Sequence, residues 1–260
     1  MNSLENRMVE LLSEMKERYY VTGVKAEFEA EGTRIDEAMR LKEIALRSGL
    51  SFNLKIGGCE AIRDLFDVAK LGAERIIAPM VESGYALQKF INSTKNHLAD
   101  QNVEFFVNIE TITACNNFDK MLEIPEISSL NGIVIGRVDL SGSLGLDRSS
   151  IDHNQTILDL SLQIAAKAKQ LGLKVVVGGA ITANSLPFLR AFPAGHLDRY
   201  ETRKVLFSCP EALENPPVAF SKAIEFELLW LKNKKNYYGK IFSEDDARIA
   251  MIEKRLNIPN

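Results

Sequence analysis

The feature that most restricts the fold of this chain is a change of rhythm after its opening helix. From Gly23 onward a short β-prone run is followed by an amphipathic helical stretch, and the pair repeats along the sequence. The β-prone runs are 24–30, 51–56, 75–80, 103–110, 132–137, 173–178 and 199–207, recurring every ~24–42 residues, the length of a βα unit. Between them, IDEAMRLKEIALRSG, CEAIRDLFDVAKLG and ILDLSLQIAAKAKQLG carry apolar residues at helical spacing, and each ends in a glycine suited to a helix C-cap. Such alternation without a long linker predicts one domain built on a parallel sheet. A length of 260 residues suits one (β/α)8 barrel. No GxGxxG or P-loop marks a strand-to-helix turn, which argues against an open dinucleotide-binding sheet.

The inner parity of the strands points the same way. In 24–31, Val24, Ala26, Phe28 and Ala30 alternate with Lys25, Glu27, Glu29 and Glu31. A sheet covered on both faces would bury those charges at great cost, whereas a barrel lumen can host them at its catalytic mouth. The same split recurs where Glu104, Phe106, Asn108 and Glu110 oppose Val103, Phe105, Val107 and Ile109, and where Asn53 and Lys55 oppose Phe52, Leu54 and Ile56. An edge strand with one solvated face is the alternative for the first run.

The ends of the chain add detail. Asn2 and Glu5 have the spacing of a capping box for a helix carrying Leu4, Met8, Leu11, Leu12 and Met15. Residues 1–215 are expected to form the barrel and 216–260 a helical extension on the barrel or on a partner subunit. In that extension AIEFELLWL is followed by a basic, aromatic bend, KNKKNYYGK, and by a final helix opened by Ser243. Phe226, Leu229 and Trp230 are the expected apolar face for homo-oligomerisation.

Composition excludes several function classes. Lys plus Arg total 32 against 35 Asp plus Glu, a net charge of −3, so no global charge draws the chain to nucleic acid or anionic lipid. The three cysteines, Cys59, Cys115 and Cys209, have no paired spacing, which suggests neither a disulfide framework nor a zinc knuckle. With no basic, apolar leader and no run of the roughly 20 apolar residues that span a bilayer, the expectation is a soluble, cytoplasmic protein. His97, His153 and His196 fall on helix or loop positions and read as surface residues.

Two segments carry most of the chemistry. VEFFVNIETITA delivers Glu110 at the end of a buried strand, and GIVIGRVDLSGSLGL runs from a strand into Asp139 and a Ser/Gly-rich loop. Carboxylates on neighbouring strand ends can hold a hard divalent cation while leaving coordination positions for substrate oxygens. The loop Ser141-Gly142-Ser143 would offer N–H groups to a carboxylate or phosphate.

In combination, KIGGCEAIRDL, LGAERIIAPMVES, NIET and VDLSGSLG resemble in order and spacing the HpcH/HpaI aldolase and citrate lyase β-subunit family of the pyruvate/phosphoenolpyruvate barrel superfamily. The resemblance covers roughly residues 24–207 and implies a metal-dependent carbon–carbon lyase acting on a 2-oxo acid such as pyruvate, with an aldehyde as the second substrate. It makes Glu110 and Asp139 the ligands of Mg²⁺ or Mn²⁺, the metal stabilising an enolate. The expected catalytic positions are Lys55 and Glu31, and the expected substrate-binding ones Gly57, Gly136, Ser141, Gly142 and Arg203. Two further readings stay open: citrate-lyase-like cleavage of a hydroxyacyl-CoA thioester, and a barrel without catalysis that serves as a binding or assembly module.

The chain also departs from the family. Lys55 stands where relatives carry a substrate-binding arginine, replacing a bidentate fork by a point charge. Glu31, in FEAEG, stands in the turn where the aldolases carry a histidine, and its carboxylate could serve as base if crowding by Glu27 and Glu29 raised its pKa. The seven β-prone runs map onto the family's second to eighth strands, so the first is missing, overlooked or replaced by a rewired segment. The last run, RYETRKVLF, places Glu201, Arg203 and Lys204 where relatives are more apolar.

Overall fold

The computed structural model describes residues 1–255. The chain opens with α1 (Ser3–Tyr19) and then alternates β1 (Val21–Glu27), α2 (Ile35–Arg47), β2 (Ser51–Lys55), α3 (Ile62–Leu71), β3 (Arg75–Ala78), α4 (Gly84–Leu98) and β4 (Glu104–Ile109). The second half adds α5 (Ile112–Leu122), β5 (Gly132–Gly136), α6 (Arg137–Ser143), α7 (Gln155–Gln170), β6 (Lys174–Gly178), α8 (Leu186–Arg190), β7 (Arg199–Glu201), β8 (Val205–Ser208) and α9 (Pro217–Arg255). The eight strands close into a barrel in sequence order, so the expected α/β barrel is the observed one.

Its closure differs from an all-parallel barrel. β1 to β7 pair parallel in succession, whereas β8 pairs antiparallel with both β7 and β1. The single expected strand 199–207 is therefore two, reversed at Thr202-Arg203-Lys204. Thr202 holds the turn: its N–H donates to the Val205 carbonyl at 2.9 Å, and its Oγ1 accepts from the Val205 N–H at 3.2 Å. The barrel is thus closed by a rewired segment, the second arm of this hairpin, which runs against both of its neighbours. Stacking of Tyr200 on Phe207 (centroids 4.8 Å apart) and of both on Phe220 anchors the hairpin to α9. Each such aromatic pair adds roughly 0.5–1.5 kcal/mol beyond its buried area.

The outer layer follows from the apolar stripes. On α1, Met8, Leu11, Leu12 and Met15 are buried, each stabilising by about 1.5–3 kcal/mol relative to exposure. Asn2 caps this helix as expected, accepting from the Glu5 N–H at 3.0 Å while Glu5 accepts from the Asn2 N–H at 2.8 Å. Gly49, Gly72 and Gly172 follow α2, α3 and α7 with positive φ, the conformation their C-cap positions require.

Inside the barrel the polar parity sorts into layers. Ile77, Phe106, Val134 and Val176 form an apolar layer separate from the main core. On its N-terminal side, Arg75 pairs with Glu104 and donates to Asn53 at 2.8 Å, while its guanidinium stacks 4.7 Å from the Phe106 ring. On its C-terminal side lie the charges of the site.

The C-terminal helix corrects two expectations. No bend separates a final helix at Ser243; α9 is continuous over 39 residues, because KNKKNYYGK contains no proline and a single interior glycine costs only about 1 kcal/mol. Phe226 and Trp230 are not an exposed face but are buried against the barrel, and Leu229 packs partly against the core. Among the described residues, no helix is long and apolar enough to cross a membrane.

Candidate active site

The C-terminal ends of the strands enclose a cavity of ≈ 750 Å³ lined by Lys55, Asn108, Glu110, Gly136, Asp139 and Arg203, among others. Glu110 follows β4 directly and is buried. Its Oε1 accepts from the Met80 N–H at 2.9 Å and its Oε2 from Asn108 Nδ2 at 2.6 Å. Met80 reaches it from a left-handed conformation, φ 51°, which costs a non-glycine residue about 1 kcal/mol or more. Burial pushes the Glu110 carboxyl above its ordinary range; the Lys55 charge and these two hydrogen bonds oppose that rise, and Asp139 adds to it.

Asp139 arrives from the next strand. β5 ends at Gly136, and α6 carries Asp139, exposed, in its first turn. An ordinary backbone (φ −91°, ψ 91°) at Gly136 hides a tight requirement: a Cβ there would lie 2.7 Å from Glu110 Cβ and 2.8 Å from its Oε2. Arg137, fully buried, locks this segment to the loop after β6 by donating to Asp152 at 2.9 Å, the Gly179 carbonyl at 2.9 Å and Ser185 Oγ at 3.2 Å. Gly179, at φ 89°, lies so close to the Arg137 and Val138 nitrogens that a Cβ would come within 2.9 and 2.8 Å of them.

A lattice of opposite charges fills the wall on the other side. Lys55 Nζ stands 3.0 Å from Glu29 Oε2 and 3.6 Å from Glu110 Oε2. Lys25 pairs with Glu27 at 3.1 Å and with Glu201, for which Gly178 makes room. Burial works against both ammonium charges, but the carboxylates outweigh it and raise both pKa values, Glu201 and Glu27 acting on Lys25, and Glu110 and Glu29 on Lys55. The crowded acids are therefore interleaved with ammonium groups instead of facing one another alone. Burial raises the Glu27 carboxyl, yet Lys25 and Arg203 bring it below its usual range.

Several sequence expectations sit differently. Glu29 and Glu31 lie beyond β1, which begins earlier than expected, at Val21. Glu31 is not in the cavity lining: it accepts from Arg203 Nε at 3.0 Å and pairs with Lys204, while Glu29 is the neighbour of Lys55. Residues 141–143 are helical rather than a loop; Ser141 is buried with its hydroxyl directed at the Leu146 carbonyl, and Gly142 is exposed away from the cavity. Residues 141–143 lie past the first turn of α6, where the free donors of a helix are found, and do not line this cavity. Gly57 is likewise outside, its N–H donating to Asp64 at 2.7 Å. Glu110, Asp139, Lys55, Gly136 and Arg203 do share the cavity. The cysteines are free; burial raises all three thiols, Cys115 to about 11 and Cys209 to about 12, which makes them poor nucleophiles.

Asn108 adds what the carboxylates alone do not. Among the described residues no three His, Cys, Asp or Glu side chains form a metal-binding group. Asn108, 5% exposed, nevertheless keeps a buried Oδ1 without a hydrogen-bond partner, beside Glu110 and in the same cavity. Such an orphan acceptor is costly unless a donor, a water or a cation engages it. Two carboxylates and an amide oxygen fit a hard cation that completes its shell with water and substrate oxygens. The orphan amide was legible only as a polar residue at inner parity two positions before Glu110, and Arg137 only as a charge beside an all-apolar strand.

Comparison with known proteins follows this geometry. The family model for HpcH/HpaI aldolase/citrate lyase matches residues 58–185. No curated protein matches the chain. Among solved structures, an HpcH/HpaI aldolase from Desulfitobacterium hafniense DCB-2 is similar at 14% identity and TM-score 0.58, covering 73% of this chain and 79% of that one. Citrate synthase SbnG is similar at 14% identity and TM-score 0.60, covering 88% and 90%. An HpcH/HpaI aldolase/citrate lyase family protein from Burkholderia cenocepacia J2315 is similar at 13% identity and TM-score 0.60, covering 94% and 100%. At these identities the structures speak to the fold.

Proposed function

Starting from a divergent relative of the HpcH/HpaI aldolase/citrate lyase family, we propose a divalent-metal-dependent carbon–carbon lyase that acts on a small 2-oxo acid. The observation that carries this reading is the meeting of Glu110, Asp139 and the unpartnered Asn108 Oδ1 in one cavity at the catalytic end of the barrel. Glu110 and Asp139 would hold Mg²⁺ or Mn²⁺. Once bound, the ion supplies Lewis acidity that stabilises negative charge on an enolate oxygen.

The chain's own groups do the rest. Lys55, fixed by Glu29 and Glu110, holds the substrate carboxylate or the developing enolate through a charged hydrogen bond. Glu29 borders the same cavity beside Lys55 and would take or return a proton there. Arg203 at the rim, held by Glu31, orients the distal polar end of the substrate. The barrel wall and α9, which contributes Ala223, Ile224 and Glu227 to the lining, limit access of water.

Proton NMR of pyruvate in D₂O tests the reading. Metal-dependent loss of the methyl signal, removed by Glu110→Gln and by Asp139→Asn, is the expected result. Exchange that persists in both variants, or in excess chelator, refutes it. No exchange despite metal binding moves the substrate to a larger oxo acid or a thioester.

The reading extends to assembly as a homo-oligomer, although through a different face from the expected one. Ile224, Leu228, Leu231, Phe242, Ile249 and Ile252 are exposed along α9 at separations compatible with one helical stripe. A second copy burying that stripe would appear in light scattering as at least a dimeric mass that Leu228→Lys with Leu231→Lys reduces. A monomeric mass for the unmodified chain at micromolar concentration rejects it.

A further inference from the structure

Lys55 places a buried ammonium directly beside Glu110, one of the two candidate metal ligands. Its ammonium stands 3.6 Å from Glu110 Oε2 and 3.0 Å from Glu29 Oε2, and it is 8% exposed. Glu110 therefore already has a cation beside one of its oxygens, as well as donors from Met80 and Asn108. Resting on the metal-dependent reading above, we infer that Lys55 is a tethered cation that competes with the divalent ion for Glu110, so that the site is partly neutralised from within.

The physical argument is charge balance. A buried carboxylate needs a counter-charge, and Lys55 provides one without any ion from solution. A divalent ion reaching Glu110 and the Asn108 oxygen meets the repulsion of this ammonium across a few ångströms of poorly solvated space. Either Lys55 swings towards Glu29 or the ion binds weakly. An anionic substrate changes the balance, since its carboxylate offers Lys55 a new partner and relieves the repulsion. Metal and oxo acid then bind with positive coupling, each increasing the affinity of the other by the same factor. A chain with its cation built in would take up metal mainly together with substrate.

Mn²⁺ binding to the whole protein, followed by electron paramagnetic resonance at about pH 8, where carboxylates are ionised, tests this without any activity assay. The expected result is roughly tenfold or more tighter Mn²⁺ binding in Lys55→Met, as the order of magnitude for removing one charge near a divalent ion. Lys55→Gln is the second neutral variant should Lys55→Met fail to fold, and Lys55→Arg, which keeps the charge, stays within about threefold of the unmodified protein. Pyruvate should tighten Mn²⁺ binding in the unmodified protein and much less in the neutral variants. Equal or weaker Mn²⁺ binding in both neutral variants, with Glu110→Gln still abolishing it, overturns the competition and leaves the metal site standing. No Mn²⁺ binding by the unmodified or any Lys55 variant at millimolar concentration overturns the metal reading itself, and the competition with it.

Discussion

Gly136→Ala is a one-carbon test of how tightly the site is built. The backbone at Gly136 (φ −91°, ψ 91°) is open to alanine, so the added methyl should act through contact alone. It would stand 2.7 Å from Glu110 Cβ and 2.8 Å from Oε2, against an optimum of about 3.5–4.0 Å for carbon pairs. Glu110 must then retreat by ~1 Å, and its hydrogen bonds from Met80 at 2.9 Å and Asn108 at 2.6 Å cannot both follow. Overpacking of this kind costs about 1–3 kcal/mol, a fall of roughly 2–10 °C in Tm for a chain of this size. A ligand displaced by ~1 Å should also weaken Mn²⁺ binding by about tenfold or more. Gly142→Ala is the internal control, because a Cβ there meets nothing within 4 Å and alanine in α6 is neutral or stabilising by up to ~1 kcal/mol. Thermal unfolding and Mn²⁺ titration on the three proteins decide the matter. An unchanged Tm and unchanged metal affinity in Gly136→Ala would show that Glu110 has room to move and that its placement is not enforced by β5.

Other perturbations probe the supports of the site. Arg137→Met removes a fully buried guanidinium from Asp152, the Gly179 carbonyl and Ser185 and should cost about 3 kcal/mol or more in urea unfolding; a loss below about 1 kcal/mol would mean the network is replaceable. Arg137→Lys keeps the charge without the planar fork and should fall between the two. At the junction of α1, α2 and α9, burial raises the Glu5 carboxyl, but Arg40, the Asn2 N–H and Asn233 bring it below the ordinary 4.5. Its contribution to stability is therefore present above pH 4.5 and lost as pH falls through the lowered folded value. Glu5→Gln should be less stable than the unmodified chain at pH 7 and show a shallower decline below about pH 5; parallel stability curves would remove Glu5 from the account.

The barrel was legible because its information is periodic. Alternating apolar and polar residues in VKAE and FFVNI, and C-cap glycines after the helices, are local signals repeated several times, and the burial of Val24, Ala26, Val107 and Ile109 follows from them. The reversal inside RYETRKVLF was hidden for the opposite reason. Thr202-Arg203-Lys204 contains neither glycine nor proline, and its turn is held by a threonine side chain and by pairing to β1 on the far side of the sequence. Propensity sees nine strand-compatible residues; only the partner strand decides that they must fold back.

That reversal also bears on the site. Because β8 runs downward, Lys204 and Arg203 lie at the mouth instead of being spread along a wall, and both engage Glu31 there. Glu31 is thereby drawn away from the cavity and Glu29 is left facing Lys55. Glu31 in the turn after β1 is not free to face the cavity, since the closing hairpin supplies the cations that take it. The charge pairing at this mouth follows from how the barrel closes: the antiparallel return of β8 gives Glu31 to Arg203 and Lys204 and leaves Glu29 with Lys55.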